Sequence, residues 1–109
     1  MKVALHSVLV EGAEQDYDRE HRSIPDDLVA SFGRLGVHDW SIWRSGRHLF
    51  HLVECDDYGA VVAGLVGDPA DERWQRRIGR FVDHFEATGT GPGAQVLPHV
   101  WSLSGQTGG

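Results

Sequence analysis

The sequence has 109 residues, which is room for one domain with a single modest core. Hydrophobic residues make up 40% of the chain and charged residues 24%, as in ordinary globular proteins, which excludes a largely disordered chain. The formal net charge of −6 argues against a nucleic-acid partner, since such a partner favours a basic protein surface.

The sequence predicts neither a disulfide nor a membrane segment. A single cysteine, Cys55, can form neither an intrachain disulfide nor a cysteine metal site. The apolar run near the N-terminus is too short for a signal peptide, and no run approaches the ~20 apolar residues that cross a membrane. We therefore expect a cytoplasmic protein that binds neither nucleic acid nor membranes.

The first part of the chain predicts one strand followed by two helices. Residues 3–10 form an apolar, β-branched run that is typical of a strand. Apolar residues then recur at helical spacing, and because Pro25 should interrupt that pattern, we expect helices at about 13–22 and 25–35. Gly36 stands where a glycine commonly ends a helix.

A hairpin and another helix follow. Residues 37–44 and 47–55 predict two strands that are joined by a tight Ser-Gly turn at 45–46. An Asp-Asp pair then caps an apolar helix over residues 58–66, and Gly67 ends it.

The last part of the chain predicts a helix, a loop and a final strand. Asp68 and Pro69 are typical of a helix start. One side of this helix is expected to carry Trp74, Ile78, Phe81, Val82 and Phe85. Residues 88–93 are glycine-rich and predict a loop, residues 94–103 predict the last strand, and residues 104–109 predict a disordered tail.

This order of elements predicts a single α+β domain over residues 1–103. A four-stranded antiparallel sheet with helices on one face, the ferredoxin-like βαββαβ arrangement, satisfies the order without an internal repeat or a linker.

Both faces of the predicted sheet carry apolar or aromatic residues, although a one-sided sheet should be polar on one face. In the strand at 37–44, Trp40 and Ile42 are expected on one face, and Val37 and Trp43 on the other. The helices cover one face only, so we expect a second copy of the chain to cover the other in a C2 homodimer. A cavity is then expected beside each sheet.

Two residues of the first predicted helix are candidates for acid–base chemistry. Tyr17 and His21 are four positions apart and therefore share a helix face. A phenol and an imidazole placed in this way form an acid–base pair near neutral pH. The same spacing also fits a tyrosine that packs at an edge beside a solvated histidine, so spacing alone leaves both interpretations open.

The four tryptophans are candidates for ligand contacts or for core filling. Aromatic rings stack on the C–H faces of sugars, and the indole N–H donates to hydroxyl groups. We expect Trp74 at the entrance of a pocket, Trp40 on a strand that faces it, and Trp43 and Trp101 in the core.

Other kinds of chemistry find no support in the sequence. The seven histidines have no recognised metal-ligand spacing, and His48 and His51 are too close along a strand to share a face. The glycine-rich segment at 89–93 does not open a helix after a strand, so it does not predict a phosphate-binding loop. No serine lies in a nucleophile elbow. We therefore expect neither a metal nor covalent catalysis.

Several motifs, taken in order, resemble the L-rhamnose mutarotase family. They are Tyr17-x-x-x-His21 before a leucine-bearing helix, the hairpin segment at 38–43 followed by Leu49-Phe50 and Glu54, Asp68-Pro69 leading to Arg73-Trp74, and the closing Val100-Trp101-Ser102-Leu103. The resemblance runs from about residue 3 to residue 103 and depends on the order and spacing of these motifs.

The resemblance implies a dimeric α/β barrel that interconverts the anomers of a monosaccharide, L-rhamnose or a related 6-deoxyhexose, without a metal or cofactor. It implies His21 as the proton donor, with Tyr17, Trp40 and Trp74 around the sugar. We also expect the neighbouring Gln75 to contact the sugar.

The chain departs from the family pattern at two places. Pro25-Asp26 stands where the family has Trp-Pro, and Gln75 stands where it has a second tryptophan. Because the second ring is lost, two alternatives stay open. One is a cofactor-free polyketide cyclase or monooxygenase on the same barrel, and the other is a non-catalytic small-ligand-binding domain.

Overall fold

A computed structural model describes residues 1–87 and 95–107 of the chain. Within these ranges it contains four strands, five α-helices and a 3₁₀ turn at Gly79–Phe81. In chain order the strands and α-helices are β1 (Lys2–Leu9), α1 (Glu14–Glu20), α2 (Asp26–Arg34), β2 (Val37–Ser45), β3 (His48–Cys55), α3 (Tyr58–Leu65), α4 (Pro69–Ile78), β4 (Val82–Phe85) and α5 (Leu103–Gln106).

The four strands form one antiparallel sheet in the spatial order β2-β3-β1-β4. The first and third strands are central, which is the ferredoxin-like arrangement. The predicted α+β class and the predicted four-stranded antiparallel sheet are therefore confirmed. The register places Leu5 of β1 and Ile42 of β2 on either side of His51 in β3, so these three residues lie side by side on one face.

One face of the sheet carries the core, and the helices cover it. β3 alternates strictly between exposed and buried residues, as a strand with one covered face does. Near one end of that face, sheet residues pack against α1, α2 and α4 in a buried cluster of Leu9, Tyr17, Leu28, Leu49, Ala70, Trp74 and Ile78. A second buried cluster joins the sheet to α3 through Val3, Leu5, Val53, Cys55 and Val61.

The local signals in the sequence act as expected. The Asp57 side chain accepts a hydrogen bond from the Ala60 N–H at 3.3 Å and caps α3, and Asp68 accepts from the Asp71 N–H at 3.1 Å and caps α4. Gly36 has a φ of +82°, the left-handed conformation that lets the chain leave α2 and enter β2.

The prediction for the last helix and the last strand is wrong. The helix that was expected to continue through Phe85 ends at Ile78, and Val82–Phe85 is β4, which pairs with β1. Phe81 and Val82 stay at helical spacing from Ile78, but they reach the same core from a turn and a strand. Gly79 marks the point where the helix stops.

The segment that was predicted as the last strand has a different structure where it is described. Val96 forms an isolated bridge with Leu5, and the Leu97 N–H donates to the Ala4 carbonyl at 2.8 Å. The chain then enters α5 at Leu103, where a disordered tail was expected from residue 104. The predicted loop at 88–93, together with residues 94, 108 and 109, lies outside the described residues.

The sheet face away from the helices exposes large apolar side chains. Trp43 is 58% exposed, Phe50 42% and Leu52 37%, and the strand register makes them neighbours. The core-filling role expected for Trp43 is therefore wrong, as it is for Trp101, which is 61% exposed. An irregularity after Val37 turns that residue to the core face, opposite to the prediction.

Within the described residues, no helix is both long enough and apolar enough to cross a membrane.

Candidate active site

A cavity of about 820 Å³ lies between the core face of the sheet and the helices. All five residues that the sequence predicts for a binding site line it, namely Tyr17, His21, Trp40, Trp74 and Gln75. They come from the end of α1, from β2 and from α4. Hydrophobic residues of α2, α3 and the sheet line the cavity as well, together with polar residues. The fold therefore brings candidates from three distant parts of the sequence to one place.

Tyr17 and His21 lie one helical turn apart, at the end of α1. Their rings stack with centroids 4.1 Å apart and planes inclined by 28°. The Trp74 ring lies nearly perpendicular to the imidazole, with 5.1 Å between centroids and 79° between the planes. Tyr17 and His21 thus meet through their ring faces, and the imidazole contacts two aromatic rings.

A backbone hydrogen bond fixes the tautomer of His21. Its Nδ1 lies 3.2 Å from the carbonyl oxygen of Tyr17. A carbonyl only accepts, so Nδ1 carries the proton and Nε2 is the proton-accepting nitrogen of the neutral ring.

Burial lowers the pKa of His21 below its usual 6.5, although the hydrogen bond to Tyr17 and the charges of Asp18 and Glu20 act in the opposite direction. His21 is therefore neutral at neutral pH, with Nε2 ready to accept a proton.

Tyr17 keeps its proton under the same conditions. Burial, and secondarily the negative charge of Asp18, raise the pKa of its phenol well above the ordinary value of 10.0. A bidentate ion pair holds Asp18 in place, because Arg44 on β2 donates to its two oxygens at 2.9 and 2.6 Å. Tyr17 is therefore a hydrogen-bond donor and not an acid that ionises near neutral pH.

The two residues on α4 differ in their surroundings. Trp74 is 7% exposed and belongs to the buried core, so the position that we expected for it, at the entrance of a pocket, is wrong. Gln75 is exposed at the cavity and donates from its side-chain amide to Asp71 at 3.3 Å. The chain thus presents a polar amide beside Trp74.

Trp40 lies on the sheet side of the cavity and is half-buried. Its ring is 5.4 Å from Phe32 of α2, measured between centroids. The indole N–H donates to Nδ1 of His51 at 3.2 Å, so this donor is already used within the protein.

Ser7, His51 and Asp71 are among the lining residues of the cavity that were not predicted from the sequence. The alternation along β3 does place His51 on the buried face, since His48 three positions earlier is exposed. Asp71 lies one turn before Trp74 and Gln75 on α4, and burial, followed by the charges of Asp68 and Glu72, raises its pKa. The partners of Ser7 depend on strand register and have no local signal.

The described residues contain no group of three or more histidine, cysteine, aspartate or glutamate side chains that is arranged to hold a metal ion.

The fold and the cavity define a ferredoxin-like domain whose cavity contains a neutral histidine. The chain belongs to the L-rhamnose mutarotase family, because the family model described as L-rhamnose mutarotase matches residues 2–103.

Two curated relatives agree with this family. An L-rhamnose mutarotase of Opitutus terrae is 36% identical over 70 residues, which are 62% of this chain and 66% of the relative. An L-fucose mutarotase of Xanthomonas campestris pv. campestris is 29% identical over 93 residues, which are 81% of this chain and 74% of the relative. The chain thus spans about two thirds to three quarters of their lengths.

Solved structures agree with the fold. An L-rhamnose mutarotase from Formosa agariphila superimposes with a TM-score of 0.73 at 16% identity, over 94% of this chain and 98% of that one. Tetracenomycin F2 cyclase from Streptomyces glaucescens, a type II polyketide cyclase, superimposes with a TM-score of 0.64 at 15% identity, over 94% and 96%. At these identities the likeness concerns the fold alone.

Proposed function

We propose that this protein is a sugar mutarotase that interconverts the α and β anomers of a 6-deoxyhexose such as L-rhamnose, with His21 as the group that transfers the proton. The observation that carries the proposal is the state of His21 in the cavity. It is neutral, its Nδ1–H is held by the Tyr17 carbonyl, and Nε2, which can accept a proton, has no hydrogen-bond partner among residues 1–87 and 95–107.

One nitrogen can perform the whole proton transfer. The anomeric hydroxyl oxygen and the ring oxygen of a pyranose are bonded to the same carbon, so a nitrogen placed beside that carbon can reach both. Nε2 takes the proton from the anomeric hydroxyl and returns it to the ring oxygen while the bond between the anomeric carbon and the ring oxygen breaks. The anomeric carbon becomes an aldehyde, which rotates, and the reverse steps close the ring on the other face.

This route consumes nothing and leaves no net charge, so it needs neither a metal nor a cofactor. Acid–base catalysis by one positioned side chain accelerates proton transfer by roughly 10²–10⁴-fold. His21 acts as base in ring opening and as acid when it returns the same proton. The proton-donor role that the family resemblance implies for His21 is therefore one half of its cycle.

The other candidate residues hold the sugar. Tyr17 donates a hydrogen bond from a phenol that stays protonated. Trp40 and Trp74 offer aromatic surface, which suits the C–H faces of a sugar. Gln75 places an amide at the cavity where the family resemblance leads us to expect a second ring.

The sugar class is supported by the lining and by the relatives. L-Rhamnose and L-fucose, which appear in the names of the relatives, are both 6-deoxyhexoses. The methyl group of such a sugar requires apolar surface, and Leu28, Phe32 and Ile42 supply it in the cavity.

We also propose that the protein is a homodimer in which a second copy covers the open sheet face. The support is the exposed apolar cluster of Trp43, Phe50 and Leu52, to which His6 adds a ring stacked on Phe50 at 4.8 Å. An isologous contact buries such a self-complementary patch on both copies at once. A cytoplasmic location fits Cys55, a buried free thiol.

The test of the proposed activity is exchange between the two anomeric proton signals of L-rhamnose, measured by saturation-transfer NMR. We expect the exchange rate to rise in proportion to protein concentration, above the spontaneous rate in a protein-free sample. L-Fucose and the common aldoses measured in parallel define the specificity. If none of these sugars exchanges faster than in the protein-free sample, the mutarotase proposal is wrong. The polyketide cyclase or monooxygenase alternative is then favoured.

A further inference from the structure

A buried chain of hydrogen bonds crosses the sheet on the cavity side, outside the groups that the mutarotase proposal uses for proton transfer. The Trp40 indole N–H on β2 donates to Nδ1 of His51 on β3 at 3.2 Å. Nε2 of His51 lies 2.9 Å from the hydroxyl oxygen of Ser7 on β1. Ser7 is 1% exposed and His51 6% exposed, and all three residues line the cavity.

The direction of this chain follows from the chemistry of its first member. An indole nitrogen only donates, so Nδ1 of His51 must accept and carries no proton. The neutral imidazole therefore has its proton on Nε2 and donates it to the Ser7 oxygen. Both nitrogens of His51 are engaged within the protein.

His51 is held in this neutral form. Burial, followed by the positive charges that His21 and His6 carry when protonated, lowers the pKa of His51 from 6.5 to about 4. A protonated ring would turn Nδ1 into a donor that faces the Trp40 N–H, so the neutral form is the one that maintains the chain.

From this geometry we propose that His51, held by Ser7, is a positioning residue for Trp40. It fixes the indole with its N–H turned into the protein. Trp40 therefore offers the sugar its ring and not a hydrogen bond. The consequence for the sugar rests on the mutarotase function proposed above, whereas the fixed orientation of the indole does not.

The ring of Trp40 needs such a restraint. Trp40 is half-buried and borders an open cavity, and its ring packs against Phe32 at 5.4 Å between centroids. The bond to His51 restrains rotation about the side-chain torsions, because turning the ring would break it. A fixed ring lets a ligand bind without first ordering that side chain.

Two substitutions separate the positioning role from simple packing. His51→Leu keeps a similar volume but removes the acceptor, whereas His51→Asn keeps an acceptor oxygen near the position of Nδ1. His99→Leu is the matched control, because His99 is exposed and bonds only to nearby Ser102 among the described residues. Circular dichroism and thermal unfolding first establish that each variant is folded.

The first measurement does not depend on activity. The four indole N–H signals are recorded in a ¹H–¹⁵N spectrum, and the one from Trp40 is assigned as the signal that Trp40→Phe removes. In the parent protein we expect this proton to be shifted downfield and slow to exchange with solvent. In His51→Leu it should move upfield and exchange at least about tenfold faster, as expected when one buried hydrogen bond is lost. His51→Asn and His99→Leu should stay close to the parent.

The second measurement is anomer exchange with L-rhamnose as a function of sugar concentration. We expect His51→Leu to raise KM about tenfold, which corresponds to a lost contribution of one hydrogen bond to positioning. Its kcat should stay within about threefold of the parent, because His51 does not touch the transferred proton. His51→Asn should recover most of the KM.

The outcomes separate this proposal from the mutarotase proposal. The positioning role is overturned, whatever the activity, if the Trp40 signal is unchanged in folded His51→Leu. It is also overturned if His51→Asn displaces that signal as far as His51→Leu does. A loss in kcat with unchanged KM also overturns it, because His51 would then act on the chemistry. If the parent protein exchanges no sugar, the mutarotase proposal fails, and the indole signals alone decide whether His51 fixes Trp40.

Discussion

His21→Phe is the substitution that tests the proposed chemistry with the least disturbance of the fold. The imidazole stacks on Tyr17 at 4.1 Å and meets Trp74 at 5.1 Å, and a phenyl ring can keep both aromatic contacts. Each such contact contributes about 0.5–1.5 kcal/mol to stability. We therefore expect His21→Phe to unfold close to the parent temperature and His21→Ala to lose about 1–3 kcal/mol from the two contacts.

The effect on activity should be much larger than the effect on stability. His21→Phe removes the nitrogen that accepts and returns the proton, so anomer exchange should fall by roughly 10²–10⁴-fold, which is about 3–5 kcal/mol of transition-state stabilisation. In His21→Ala the space left beside Tyr17 and Trp74 should admit free imidazole. Added imidazole is therefore expected to restore part of the exchange in this variant and none of it in His21→Phe.

The assay is exchange between the anomeric protons of L-rhamnose, with circular dichroism as the control for folding. Tyr17→Phe is the matched comparison, since it removes a hydroxyl from the same helix face and should act mainly on KM. Folded His21→Phe that exchanges L-rhamnose at the parent rate would refute the role of His21 and the reasoning from its tautomer.

The pH profile gives a second check on the same reasoning. Burial lowers the pKa of His21 below 6.5, and the active form is the neutral ring that accepts a proton. The rate at low sugar concentration should therefore rise with pH, through a pKa below 6.5, and then level off. A rate that begins to rise only above pH 6.5 would contradict the neutral state assigned to His21.

Three other measurements follow from the structure. Light scattering should give a mass of twice the 12.1 kDa chain. Trp43→Glu should shift the protein towards a monomer, because it places a charge on the open sheet face. A parent protein that is monomeric at micromolar concentration would rule out the dimer. Gln75→Trp should tighten L-rhamnose binding several-fold, by about 1 kcal/mol of added aromatic contact, and Trp74→Ala should weaken it. If both variants bind L-rhamnose with the affinity of the parent, α4 is not part of the sugar site. Burial lowers the pKa of His51 from 6.5 in the unfolded chain to about 4 in the folded chain, so the unfolded state binds the proton first as the pH falls. The free energy of unfolding should therefore fall as the pH drops from 6.5 to 4. The loss attributable to His51 is up to about 3 kcal/mol, and folded His51→Asn should lack this part of the slope.

Local signals in the sequence were sufficient for most of the fold. Asp57 and Asp68 cap helices through bonds to N–H groups three residues on, and Gly36 ends a helix by its own conformation. Such features depend on neighbouring residues only, so a single sequence reveals them. The pair of Tyr17 and His21 was predictable for the same reason, because one helical turn determines their spacing.

The errors arose where distant contacts decide the structure. Val82 and Phe85 continue the helical spacing of α4, and only pairing with β1 shows that they form a strand. Alternation along β2 places Trp43 opposite Trp40 and Ile42, but it does not indicate which of the two faces the chain's own helices leave exposed. The chain from Trp40 through His51 to Ser7 joins three strands, so its hydrogen bonds depend on a register that periodicity cannot supply.

The fold does not choose between a mutarotase and a cyclase, since solved structures of both superimpose on the chain. Of the three histidines that line the cavity, His21 and His51 are held in opposite tautomers. His51 donates through Nε2 and accepts through Nδ1, so both of its nitrogens are engaged within the sheet. His21 donates through Nδ1 to the Tyr17 carbonyl, and no residue in the described part of the chain bonds to its Nε2. The proposed reaction moves one proton between two oxygens of the same substrate and requires one such nitrogen. The opposite tautomers of the two rings are the reason why the proposal gives that role to His21 and not to His51.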